Sequence, residues 1–538
     1  MTGDDVVHLY IRMSYFFNSM YRWVINLKIF SATVSMDLSS FEWIVGLGGV
    51  FAFVASYGIG ANDVANAFAT SVGSGALSIK HAVGLASIFE FSGALLMGSH
   101  VTDTVRKGIA DYACFEDDPA ILMYGCQCVL FAVSIWLILA SHLEMPVSTT
   151  HSCIGGMIGM AMTARGSSCV KWNKSTNMFP FFDGVSSIVF SWVLSPLVSG
   201  IFGSIFFYTL RTAVLRSPTS FEKTRWAFPL ILGTTVCINI FFIVYKGAKY
   251  LNLDDTPIGI AFAYAFGIGG GLALLSYFTV CPYIIKNSQR IFDEQSDPIS
   301  RTDSICEILP DIPKPKRGIF GKIYDHMIHS LNFNRMDIID QDDTVKRIHA
   351  NAEQFDERTE ISMRYMQILT ACCGAFAHGA NDVANSIAPF GTIWAIYKSG
   401  EVSSKKNDLG NDAYWILCLG AAGIVFGLAT YGYKILHVLG TKIGKITASR
   451  GVCIELASAT VIIIGSRLGW PLSTTHCQVG ATTGVALLEG TGGINYKVLG
   501  KTVIGWIVTL IAVGGTTSIL FAQGAYAPMV KYPSYIKE

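Results

Sequence analysis

Two short words each occur twice in this chain, and both carry side chains suited to holding ions. GANDVAN stands at Gly60–Asn66 and again at Gly379–Asn385, each time at the end of a long apolar stretch, so Asp63 and Asp382 take matching places. Downstream of each copy comes a second word, MPVSTTH at Met145–His151 and WPLSTTH at Trp470–His476. Asp63 and Ser148 are 85 residues apart, Asp382 and Ser473 are 91 apart, and this shared order and spacing marks an internal duplication.

A carboxylate held at mid-membrane costs about 2.5–3.5 kcal/mol on insertion scales, so each aspartate needs a cationic partner or a proton. Neither matching apolar segment contains a Lys or Arg, which points to a mobile cation. Sodium, a hard ion, suits a carboxylate joined by amide and backbone oxygens, here Asp63 with Asn62 and Asp382 with Asn381. The plainer alternative is that these residues cap helices. Small residues precede each word, Tyr57-Gly58-Ile59-Gly60 and Ala377-His378-Gly379, and their glycines permit a break in the helix.

The second word supplies adjacent hydroxyls just after a proline and at the start of an apolar helix. Ser148, Thr149 and Thr150, with Ser473, Thr474 and Thr475, can place donors beside free N–H groups at helix N-termini, a phosphate-sized anion site without a fixed positive charge. Ordinary N-capping is the competing role. His151 and His476 read as packing residues, and His378 has Ile59 as its counterpart, so any role it has breaks the symmetry. Glu90 and Glu455 are further acids in apolar spans at non-equivalent positions, suited to cation coupling or to accepting a proton from a substrate. Gln127 reads as a link between helices.

These words sit on apolar runs of roughly 18 residues or more, the length of a membrane-spanning helix. About twelve such runs are expected between 41–74 and 498–523, among them 147–164, 361–396 and 470–489. Unpaired backbone groups are costly in hydrocarbon, which leaves an all-α polytopic membrane protein as the fold class. The expected organisation is an N-terminal tail or interfacial segment (1–40), a first membrane half (41–285), a hydrophilic linker (286–360), a second half (361–523) and a C-terminal tail (524–538). Seven crossings before the linker put the second copy upside down, giving two inverted repeats with broken helices around a midplane site.

Composition agrees: 51% of residues are hydrophobic and 14% charged, against roughly a quarter charged in soluble chains. A net charge of +1 gives no bias toward nucleic acid. The 13 cysteines form no metal-binding pattern, and Cys114 and Cys169, both in polar loops, can pair if those loops face outside. Lys and Arg in the short loops balance between the two faces, so charge does not orient the chain. Asn173-Lys174-Ser175 is the one N-glycosylation sequon. No Walker A pattern is present, and the glycines of Phe266–Gly271 suit close helix packing.

The duplicated GANDVAN and the two P-x-S-T-T-H words resemble the inorganic phosphate transporter family, the sodium-phosphate symporters called PiT, over both halves. The resemblance implies sodium-driven uptake of phosphate with no enzymatic step and no cofactor, sodium being a co-substrate. It implies that Asp63 and Asp382 are essential, that Asn66 and Asn385 line the site, and that Glu90, Glu455, Ser148, Ser473 and His378 are sensitive positions. It also implies a homodimer in the plasma membrane with a cytoplasmic linker. The chain departs from the family where a glutamate is expected before the first P-x-S-T-T-H word and YGCQCVLF stands instead. A proton-coupled phosphate or sulfate permease is the alternative of the same class; an intramembrane hydrolase using Ser148, His151 and Asp63, or a phosphate sensor, is more distant.

Overall fold

A computed structural model of the chain describes residues 39–63, 65–176, 181–245, 256–296, 342–402, 409–467 and 472–526. The expected N-terminal segment 1–40 lies almost wholly outside the described residues, as do most of the C-terminal tail and positions 297–341 of the linker. The rest is helical apart from a two-residue hairpin, Lys174–Ser175 paired with Phe182–Asp183. Among the described residues nine helices are long and apolar enough to cross a membrane. The architecture is the expected all-α polytopic membrane protein.

In the first half, α1 (Glu42–Asn62), α2 (Ala65–Ser74), α3 (Ile79–Gly108), α4 (Pro119–His142) and α5 (Thr149–Arg165) are followed by α6 (Val185–Leu210), α7 (Ser220–Val244) and α8 (Ile258–Phe278). Then come α9 (Val280–Ser296) and α10 (Asp343–Asn351), both within or overlapping the expected linker. The second half holds α11 (Glu357–Ser399), α12 (Ala413–Tyr431), α13 (Tyr433–His437), α14 (Ala448–Arg467), α15 (Thr474–Leu487) and α16 (Tyr496–Ala525).

Two faces are marked by their contacts. Cys114 and Cys169 are disulfide-bonded on one of them, beside Arg165 at the end of α5. The other carries α10, where Arg216 binds Glu353 and the buried Arg450 binds Glu489. Helix α11 starts on the α10 face, where Ser449 bonds to Glu360, and ends near the disulfide, where Thr392 bonds to Tyr112; α1 packs antiparallel to it, with Gly48 near its start against Phe390 and Ile393 and Ser56 bonded to Ser386. The two GANDVAN copies are therefore traversed in opposite senses.

The STTH helices depart from the expectation of full spans. At 17 and 14 residues, α5 and α15 are about 25 and 21 Å long, short of the ~30 Å hydrocarbon core. An unwound stretch completes the first path: Lys501 near the start of α16 bonds to the Leu143 carbonyl, while Tyr526 just past its end bonds to those of Thr163 and Ala164. Residues 143–165 thus run the length of α16.

The GANDVAN glycines also act differently from expectation. The helix breaks only in the first copy, where Asp63 ends α1 and the Asn66 N–H bonds back to the Asp63 carbonyl at 2.8 Å. In the second copy α11 continues unbroken through Gly379–Asn385. Close helix crossing explains both glycines. A Cβ on Gly60 would stand 1.9 Å from the Ile424 carbonyl oxygen, and one on Gly379 would stand 2.2 Å from that of Glu90. The partner helices answer in kind, with Gly427 against the Tyr57 carbonyl and Gly93 against that of Phe376. Each GANDVAN helix is thereby locked to the helix that follows the other copy.

Candidate ion and anion site

The first turns of α5 and α15 lie side by side, pointing to opposite faces, and the reason is written into their caps. Ser148 Oγ accepts from the His151 N–H at 3.2 Å and Ser473 Oγ from the His476 N–H at 3.3 Å, so each serine is an N-cap. Each next-but-one threonine then bonds the carbonyl preceding the other helix, Thr150 to Leu472 at 3.4 Å and Thr475 to Val147 at 3.2 Å. This exchange brings two helix N-termini, both positive dipole ends, to one buried place.

Both aspartates lie there, essentially without solvent contact. Asp63 accepts from Thr149 at 2.5 Å, from Thr475 at 2.6 Å and from Asn66. Asp382 accepts from Asn381 at 3.1 Å. Thr474 Oγ1 lies 2.9 Å from Asp63 and 3.2 Å from Asp382, so a single hydroxyl bridges the acids of the two halves. Asn385 donates to Thr149 and Thr150 at 3.1 and 3.2 Å and Asn66 donates to Thr475 at 3.2 Å, the Asn385–Thr150 and Asn66–Thr475 contacts being equivalent in the two halves. Among the described residues no Lys or Arg forms an ion pair with either aspartate. Two carboxylates this close, without a protein cation, require a mobile positive charge or a proton.

Several expected site residues are placed elsewhere or otherwise engaged. Asn62 turns from the aspartates and clamps the unwound segment, donating to Ser141 and the Met145 carbonyl and accepting from the Val147 N–H at 3.0 Å. Asn381 does part of the same work on the Leu472 carbonyl at 3.3 Å. Ser148 and Ser473 are spent on capping, leaving the threonines to face the acids. Capping engages each serine Oγ as an acceptor from its own helix, whereas the threonine hydroxyls are turned to donate to the acids and to the carbonyls of the other half.

Glu90, 1% exposed, has neither side-chain oxygen hydrogen-bonded, and its backbone sits against Gly379, three residues before Asp382. The equivalent contact on α12 belongs to Ile424, so this acid exists in one half only. Glu455 is held in a cage of Thr70 (2.6 Å), Ser71 (2.8 Å), Thr370 and Gln367 (3.3 Å). Thr370 precedes Asp382 by twelve residues, about 18 Å along α11, so the cage is a separate station. Gly48 and Gln367 both stand 15 residues before their aspartates, and Gln127 Oε1 lies 3.3 Å from a Cβ built on Gly48. Gln127 thus fills the place in the first half that Glu455 fills in the second, with an amide where the resemblance leads one to expect an acid.

His378 is buried beside Gly379 with its Nδ1 unbonded. His151 and His476 pack edge to face, 4.5 Å between ring centroids, flanked by Trp192 and Trp506, as the packing reading expects. Sequence reasoning missed the role of Gln367 and the Thr70, Ser71 and Thr370 hydroxyls; their only signal was polar residues inside apolar helices.

Comparison with known proteins identifies the family. The family model described as the phosphate transporter family matches residues 59–517. The chain is 31% identical to a phosphate-repressible phosphate permease of Neurospora crassa, over 92% of this chain and all of that protein. It is 28% identical to sodium-dependent phosphate transporter 1-A of Danio rerio, over 93% of this chain and 97% of the relative. A solved structure of a sodium-dependent phosphate transporter superposes with a TM-score of 0.68 at 29% identity, covering 91% of this chain and all of the other. The chain belongs to the phosphate transporter family, integral membrane permeases and not enzymes.

Proposed function

We propose that the protein is a sodium-coupled symporter of inorganic phosphate that works by alternating access between two inverted repeats. The observation that carries this reading is the pair of buried carboxylates, one from each half, bridged by Thr474 and without an ion-paired Lys or Arg among the described residues. Sodium ions at Asp63 and Asp382 neutralise the charge that would repel an oxyanion. Phosphate then docks on the hydroxyls of Thr149, Thr150, Thr474 and Thr475, the amides of Asn66 and Asn385, and the N–H groups at the two helix starts. Glu455 in its hydroxyl cage supplies a further cation station. Each net positive charge moved down the membrane potential contributes about 2.3 kcal/mol per 100 mV, so excess sodium makes transport electrogenic.

A proton-coupled cycle is the second reading, favoured by Glu90, whose unbonded carboxyl is a ready proton acceptor. Dihydrogen phosphate can also give a proton to such a group, whereas sulfate has none at neutral pH, which discriminates between the two anions.

The orientation proposed here rests on redox chemistry. Basic residues stand on both faces, Lys434, Lys442 and Lys501 around residues 142–144 on the α10 face, and Lys171 and Arg165 paired with Asp111 and Asp117 beside the disulfide, so they do not decide it. Disulfides persist on the oxidising side, which makes the face carrying Cys114–Cys169 the outer one. The α10 face is then cytoplasmic, and a plasma-membrane location and a homodimer are added to this reading from the family resemblance alone.

Radiolabelled phosphate uptake into proteoliposomes under imposed sodium, proton and voltage gradients tests the reading. Sodium-driven accumulation that is lost on replacing sodium with choline supports it. Accumulation driven by a proton gradient alone assigns the second reading, and equal uptake of sulfate overturns the proposed selectivity.

A further inference from the structure

The loop between α5 and α6 carries a feature that transport does not use. Asn173-Lys174-Ser175 is an Asn-x-Ser acceptor sequence with no proline at its centre, and Asn173 is exposed at the base of the short hairpin. Four residues earlier Cys169 is bonded to Cys114, and the two observations are independent. A disulfide requires an oxidising compartment, and the same compartment is where such an asparagine meets its modifying enzyme.

The backbone leading to Asn173 is pinned on both sides. Lys171 bonds through its N–H to the Ile109 carbonyl, and Val185 and Ser186 bond to the carbonyls of Lys171 and Trp172, each at 2.9 Å. Ser186 also donates to Asn173 Oδ1 at 3.3 Å, so this contact engages the side-chain oxygen and not the amide nitrogen of an exposed residue. A bulky substituent on that nitrogen meets solvent instead of the bundle.

The geometry points to N-glycosylation of Asn173 on the disulfide face, which rests on the orientation given above. The donor class is an oligosaccharide carried by its terminal N-acetylglucosamine on a polyprenyl pyrophosphate. Asn173 Nδ2 forms a bond to the sugar C1 while the C1–O bond to pyrophosphate breaks. The leaving polyprenyl pyrophosphate keeps that electron pair, and the amide loses one proton to a base of the transferring enzyme. The Ser175 hydroxyl is the recognition group for that enzyme.

The test is expression of the full chain in a glycosylating eukaryotic host, followed by digestion with an endoglycosidase that removes N-linked chains. A single glycan's shift in mobility is expected, lost in Asn173→Gln and in Ser175→Ala, kept in Ser175→Thr, with phosphate uptake per molecule unchanged. In parallel, Trp172→Cys, an exposed position, is probed in intact cells with a membrane-impermeant maleimide. Labelling from outside without any endoglycosidase shift overturns the glycan and leaves the orientation standing. Labelling only after permeabilisation overturns the orientation, and the glycan with it.

Discussion

Thr475 donates its hydroxyl proton to Asp63 at 2.6 Å, across 412 positions of chain. The contact joins the STTH word of one half to the GANDVAN word of the other, so neither half assembles the candidate site alone. A movement that separates the halves must break this bond and expose the acid.

Removing either charge tests the central pair most directly. Asp63→Asn and Asp382→Asn keep shape and burial but no longer need a cation. Each is expected to lower sodium-driven phosphate uptake in proteoliposomes by at least tenfold while leaving the protein folded in detergent. Uptake within twofold of wild type in both variants would sink the carboxylate pair as the cation site.

Thr475→Val removes the donor to Asp63 but keeps the side chain's shape, whereas Thr475→Ser keeps the donor. A hydrogen bond to a charged group contributes about 1.5–3 kcal/mol, so the valine variant should lose roughly tenfold or more in kcat/KM for phosphate and the serine variant far less. Kinetics of uptake against phosphate concentration separate the two.

Glu90 makes no hydrogen bond, so Glu90→Gln removes only a buried charge or proton. Its thermal midpoint is expected to equal or exceed that of wild type. Accumulation against a phosphate gradient should fall, measured as the ratio of internal to external label at steady state. A normal ratio would assign Glu90 to packing.

The glycine crossings predict a stability effect without chemistry. Gly60→Ala and Gly379→Ala push a methyl into a backbone carbonyl that cannot swing aside. Overpacking of this kind costs about 1–3 kcal/mol or more. Gly46→Ala on the same α1 meets nothing within 4 Å and serves as the control. Thermal unfolding in detergent should rank both core variants well below it.

On the α10 face, the Arg216 hydrogen bond, with the nearby charges of Arg211 and Arg450, holds Glu353 below the usual carboxylate range, against a smaller upward push from burial. A depressed acid contributes its stability in full above its unfolded value, about 4.3, and loses it as pH falls through the lower folded value. The difference in thermal midpoint between wild type and Glu353→Gln should therefore be flat at neutral pH and shrink below about pH 4. A difference that grows on acidification would contradict the arrangement.

Much of this was legible in residue types and their order. The duplicated words, acids within apolar runs and the lack of strand patterning were enough for an all-helical membrane protein with paired acid-bearing segments, because hydrocarbon tolerates few backbone forms and few unneutralised charges. Those constraints act on each segment separately, so they can be read one segment at a time.

What only the packing decided were choices between chemically similar neighbours. Ser148 and Thr149 look alike as residue types, yet one caps its own helix and the other reaches Asp63. Asn62 and Asn66 share one word, yet only Asn66 bonds the acid. The break in the first copy and its absence in the second, the pairing of Cys114 with Cys169, and the matching of Gln127 to Glu455 likewise depend on which helices cross and at what depth. A one-dimensional pattern records spacing along the chain, whereas a hydrogen bond is satisfied or lost over an ångström or less in space, and that distance is set only when both halves have closed on each other.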